Sequence, residues 1–113
     1  MAGNAELASG DKAVPVVLCA DDYGLSAAIG EAVRSLFAMG RLSATSCMTS
    51  SPDWPAEGSL LRDAHVKGSV GVHLTLTDIA PLTAVPDLAP DGKLPPLGVL
   101  LKRALTGGLK REE

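Results

Sequence analysis

The chain has 113 residues, 46% of them hydrophobic, which suffices for one core but not for two independent ones or for a complete α/β barrel of roughly 250 residues. Only 3% are aromatic, so the core is expected to be aliphatic. Net charge is -3 and no Lys/Arg cluster of the kind a duplex requires is present, which excludes nucleic acid as a partner.

Residues 1–13 carry Glu6, Asp11 and Lys12 but neither a cationic start nor an apolar stretch, so they read as a flexible leader and not as a signal peptide. The longest apolar run, 14–20, is far shorter than the roughly 20 residues that span a bilayer. A cytoplasmic chain without a membrane partner is expected. The same run predicts a parallel strand covered on both faces, with Pro15 near its start and Asp21-Asp22-Tyr23-Gly24 closing it. Ser26 then caps a helix over 27–39 that places Ile29, Val33, Leu36 and Phe37 on one face and Glu31, Arg34 and Ser35 elsewhere, and Gly40 stops it. Small and β-branched residues over 42–49 predict a second strand. Pro52 and Pro55 mark a turn before a short helix over 56–64, and 69–76 reads as a third strand with His73 toward its C-terminal end. Pro81, Pro86, Pro90, Pro95 and Pro96 make 78–98 a loop excursion. A short amphipathic helix over 97–105, stopped at Gly107-Gly108, precedes a polar end. Three parallel strands with so few helices leave sheet edges uncovered, so 14–113 is expected to be part of a longer α/β domain.

Cys19 and Cys47 are too far apart for a CxxC site and both sit in apolar runs, which predicts two reduced core thiols. His65, among Arg62, Asp63 and Lys67, should face solvent. No Gly-x-Ser-x-Gly elbow and no phosphate-binding glycine loop is present. Asp21 and Asp22 follow a buried parallel strand, at the end where sheets and barrels place their ligands; a solvated pair favoured by the next helix's N-terminus is the plainer alternative. His73 is either a hydrogen-bonded structural residue or an imidazole on the same rim. If the strands are parallel neighbours, Asp22 and His73 form a partial site for a divalent ion that needs a further protein ligand. A phosphohydrolase with Asp21 as nucleophile lacks an accompanying Lys or Thr motif. A small non-enzymatic domain that self-associates, as a homodimer, through its open edges or its Leu-rich C-terminal segment is the main alternative.

Three blocks in order, Leu18-Cys19-Ala20-Asp21-Asp22-Tyr23-Gly24-Leu25-Ser26, Gly40-Arg41-Leu42-Ser43-Ala44-Thr45-Ser46-Cys47-Met48 and Val70-Gly71-Val72-His73-Leu74-Thr75-Leu76-Thr77, resemble the YdjC-like carbohydrate deacetylase family, which includes chitooligosaccharide deacetylases. The resemblance covers about 14–98, the N-terminal part of a family member. It implies the N-terminal portion of an irregular or incomplete (β/α) barrel with parallel strands. It further implies removal of the N-acetyl group from an amino sugar or oligosaccharide with a divalent metal ion, of which Zn, Mn and Mg are the candidates. Carried onto this chain, the resemblance makes Asp22 and His73 metal ligands and Asp21 the general base, with Tyr23, Thr75 and Thr77 lining the substrate cleft. The family's third ligand, a histidine from a later strand, has no counterpart here, so the chain is expected to be inactive alone.

Overall fold

The computed structural model describes residues 14–110; the leader 1–13 and residues 111–113 lie outside them. Strand β1, Cys19–Tyr23, leads through a turn at Gly24 (φ +89°) into helix α1, Ala27–Ala38. Ser26 caps that helix by accepting the Ile29 N–H at 3.4 Å, and Gly40 (φ +66°) takes the left-handed conformation that ends it. Strand β2, Ala44–Cys47, follows, then helix α2, Trp54–Asp63, strand β3, Ser69–Val72, and helix α3, Leu97–Leu105. Helix α2 begins ahead of the expected residue 56 and takes Pro55 into its first turn, which has no use for the N–H that proline lacks.

The strands form one parallel sheet in the order β1-β2-β3, which stays open, as expected for an incomplete barrel. Helices α1 and α2 supply the core on one face: Val33, Phe37 and Leu61 pack with Tyr23 and Cys47, and Ile29, Leu42, Trp54 and Val66 surround them. Thr45 and Cys47 of β2 are buried toward this layer, whereas Ala44 and Ser46 alternate onto the other face. Every residue of β3 is exposed.

The structure corrects several expectations. The apolar run does not form a covered strand: Val14, Val16, Val17 and Leu18 are exposed, and the strand begins at Cys19. The cause is the ladder: Cys19 pairs with Ala44, the first residue of β2, and Leu18 O takes the N–H groups of Ser43 and Ala44, so no partner strand flanks the residues before it. Cys47 is buried but Cys19 is exposed, so only one of the two thiols belongs to the core. Leu36 is exposed, and β3 ends at Val72, short of His73.

Between β3 and α3 the chain makes its proline-rich excursion, clamped at its base where Asp78 N–H donates to Leu94 O at 3.2 Å and Leu94 N–H donates to Ile79 O at 2.8 Å. Among the described residues no helix is long and apolar enough to cross a membrane.

Candidate functional site

Successive side chains of a regular strand point to opposite faces, so two adjacent aspartates would ordinarily part company. Here they do not. The register of β1 on β2 runs Ala20 to Thr45 and then Tyr23 to Cys47, so Asp21 and Asp22 together stand opposite the single residue Ser46. This is a β-bulge, and Asp22 absorbs it with φ 64°, a left-handed conformation that aspartate tolerates better than most residues. The bulge gathers both carboxylates at the end of the sheet.

Ser46 Oγ donates to Asp21 Oδ1 at 2.6 Å and lies 3.2 Å from His73 Nδ1. The Cys19 thiol also reaches Asp21 Oδ1, at 3.7 Å. Asp22 Oδ1 lies 3.4 Å from the same His73 nitrogen. His73 is held there by its backbone N–H, which donates to Cys47 O at 2.8 Å and so extends the β2 ladder one residue past β3. The structure thus brings Asp21, Asp22 and His73 together, with Ser46 between them. The Asp22 and His73 side chains keep 49% and 30% of their surface open to solvent, enough for an ion or small molecule to approach.

Tyr23 does not join them. It is 0% exposed, and its hydroxyl donates to Glu57 O at 2.8 Å and accepts from Arg34 at 2.6 Å. The expectation that Tyr23 lines a cleft is corrected: the bulge turns its ring into the helix layer, where it anchors the residue next to Asp22. Burial pushes its phenol above the ordinary tyrosine range; Arg34 opposes that shift and Glu57 adds to it. Arg34 also pairs with Glu57, a carboxylate only 3% exposed. Neither Arg34 nor Glu57 stands out in the sequence, where a helical charge reads as surface, and Gly30 is the one local trace of them. A β-carbon on Gly30 would lie 2.6 Å from Glu57 Cδ, so the small residue makes room for the pair.

A cavity of about 560 Å³ opens beside His73, between the end of β3, the excursion and α3. Thr75 lines it with Thr49, Leu74, Leu76 and Arg103, while Thr77 does not. Thr75 donates to the backbone carbonyl of His73 at 3.4 Å, tying the cavity wall to the main chain that carries the imidazole. His65 is exposed, its Nδ1 2.7 Å from Asp63 O.

In donor type Asp22 and His73 fit a divalent ion, since a carboxylate oxygen and an imidazole nitrogen suit zinc, manganese and similar ions. Among the described residues no group of three or more His, Cys, Asp or Glu side chains could hold a metal ion. Two donors alone do not complete a metal site.

Comparison with known proteins relates the whole chain to longer ones. The chain is 31% identical over 97 residues to a carbohydrate deacetylase of Geobacillus stearothermophilus, an alignment that covers 85% of this chain and 39% of that protein. Its fold matches the crystal structure of a candidate cellobiose-phosphate cleavage protein from Enterococcus faecalis V583 with a TM-score of 0.69, at 23% identity, over 76% of this chain and 35% of that one. The chain thus spans well under half the length of these two proteins. Residues 15–113 match the model of the YdjC-like protein family, and the chain belongs to that family.

Proposed function

We propose that this chain is the metal-binding N-terminal part of a carbohydrate deacetylase that hydrolyses the N-acetyl group of an amino sugar or oligosaccharide, and that it does not turn over alone. The observation that carries the reading is the convergence of Asp21, Asp22 and His73 on one strand-end rim, in a family with a curated carbohydrate deacetylase among its relatives. In the proposed division of labour Asp22 and His73 hold a divalent ion. When bound, that ion supplies Lewis acidity, polarising the amide carbonyl and lowering the pKa of water. Asp21 acts as general base. Its Oδ1 is engaged by Ser46, which orients the carboxylate and leaves Oδ2 to accept the proton of the attacking water. The cavity beside His73 receives the substrate, with Thr75 as its polar edge next to the imidazole. Thr77 stands outside that cavity and contributes less to binding.

The test is acetate release from an N-acetylated amino-sugar oligomer. It is measured for this chain alone and for a chimera in which its 97 aligned residues replace the matching segment of the Geobacillus stearothermophilus deacetylase. The chimera is expected to release acetate in the presence of a divalent ion, and the chain alone is not. In the chimera, Asp22→Ala should lose metal and activity, whereas Asp21→Asn should keep metal and lose activity. A folded chimera that binds metal without releasing acetate would sink the deacetylase reading. Equal metal loss in both variants would refute the separate roles of the two aspartates.

The uncovered edge of β3 favours one further property, self-association. Light scattering of the purified chain that returns a monomer at all concentrations would exclude it.

A further inference from the structure

Ser46 has so far been given only the Asp21 carboxylate to orient, yet its hydroxyl also touches the imidazole of His73. A serine hydroxyl has one hydrogen to give and lone pairs to accept with. A carboxylate oxygen can only accept, and Asp21 Oδ1 lies 2.6 Å from Ser46 Oγ, so the serine hydrogen goes to Asp21. The 3.2 Å contact between Ser46 Oγ and His73 Nδ1 must then run the other way, with Nδ1–H donating to the serine oxygen. Asp22 Oδ1, 3.4 Å from Nδ1, favours a proton on that same nitrogen. In a neutral imidazole a hydrogen on Nδ1 leaves the lone pair on Nε2.

We infer that Ser46 is a positioning residue: it holds His73 as the Nδ1–H tautomer, so that Nε2 is the nitrogen offered to a divalent cation, and it ties that ring to the Asp21 carboxylate. The assignment of Nε2 to a cation rests on the reading of His73 as a metal ligand; the tautomer does not. The serine stands in the place of the carboxylate or carbonyl that commonly orients a ligating histidine, and loss of such a partner typically weakens metal binding about 10–100-fold.

The chain has two histidines, which makes the test direct. Long-range proton–nitrogen spectra of the labelled 113-residue chain are recorded at about pH 8.5, above the ordinary imidazole range, with a His65→Gln variant to assign the signals. His73 is expected as the Nδ1–H form, and added Zn²⁺ should move its Nε2 signal. Ser46→Ala should lose the preference for that tautomer and bind Zn²⁺ about 10–100-fold more weakly, while Ser46→Thr, which keeps the hydroxyl, should retain both properties. An Nε2–H tautomer in the unmodified chain overturns the inference, as does a folded Ser46→Ala variant with unchanged tautomer and Zn²⁺ affinity. If Ser46→Ala does not fold, the tautomer of the unmodified chain and the behaviour of Ser46→Thr decide. Zn²⁺ that shifts neither His73 nitrogen overturns the ligand reading, and with it the role of Nε2, while the spectrum without metal still decides what Ser46 does to the ring.

Discussion

The contact between Arg34 and Glu57 offers the sharpest test of how the rim is supported. Glu57 is 3% exposed and Arg34 keeps 19% of its side-chain surface, so the pair is largely removed from water. Replacing Arg34 by Met keeps the aliphatic stem but strands the Glu57 carboxylate and removes the donor 2.6 Å from the Tyr23 hydroxyl. Breaking a buried pair in this way costs about 3–5 kcal/mol, a large part of the roughly 5–15 kcal/mol that holds a typical domain. With a urea dependence of about 2 kcal/mol per molar, the unfolding midpoint should fall by about 2 M. Trp54, the single tryptophan, packs against the core beside this network and reports the transition by fluorescence. The double variant Arg34→Met/Glu57→Leu removes both charges and should recover most of the loss, because an apolar pair of similar volume can replace a buried ion pair with little penalty. A midpoint for Arg34→Met within about 0.3 M of the unmodified chain, a shift of roughly 0.6 kcal/mol, would mean that Glu57 does not depend on Arg34. So would a double variant no more stable than the single one.

Gly30→Ala should destabilise by about 1–3 kcal/mol, although alanine in a helix interior is ordinarily better than glycine by about 0.5–1 kcal/mol, because its β-carbon would press on Glu57 Cδ. A higher urea midpoint for that variant would show that the pair moves aside freely. Asp22→Gly should raise stability by about 1 kcal/mol by relieving the left-handed backbone, while weakening divalent-ion binding; a glycine variant less stable than the parent would contradict the strain argument. Burial raises both the Tyr23 phenol and the Cys47 thiol above their ordinary values, so these groups favour the folded state while neutral. That stability is complete below their unfolded values, about 8.5 for cysteine and 10 for tyrosine, and is lost as pH rises through the folded ones. Urea midpoints should therefore decline from about pH 9 upward, and a flat profile to pH 11 would be inconsistent with the two shifts.

Much of the fold was legible because local signals and tertiary structure agree. Ser26 and Gly40 bracket α1 as a cap and a left-handed stop, and α3 occupies the predicted residues up to Leu105. The first strand was displaced because apolarity marks what can be buried, whereas a ladder needs a partner, and pairing with β2 begins only at Cys19. Asp21, Asp22 and His73 were readable as a rim from their places at strand ends. What brings both aspartates to it, the bulge opposite Ser46, leaves no mark in the letters, since Asp-Asp reads the same in a regular strand. Tyr23, Arg34 and Glu57 were hidden for a different reason. Each is polar or charged, and each is drawn wholly or largely out of solvent by partners 11 to 34 positions away along the chain, a distance over which periodicity carries no information.

The proposed function requires Asp22 and His73 to act together on one cation. Substoichiometric Mn²⁺ added to the ¹⁵N-labelled chain tests this directly, since a bound paramagnetic ion broadens the amide signals nearest to it. The signals of Asp22 and His73 should disappear first, with Ser46 close behind. Broadening that begins at Asp63, Asp87 or Asp91 while Asp22 and His73 stay sharp would place the ion elsewhere and rule out their joint role.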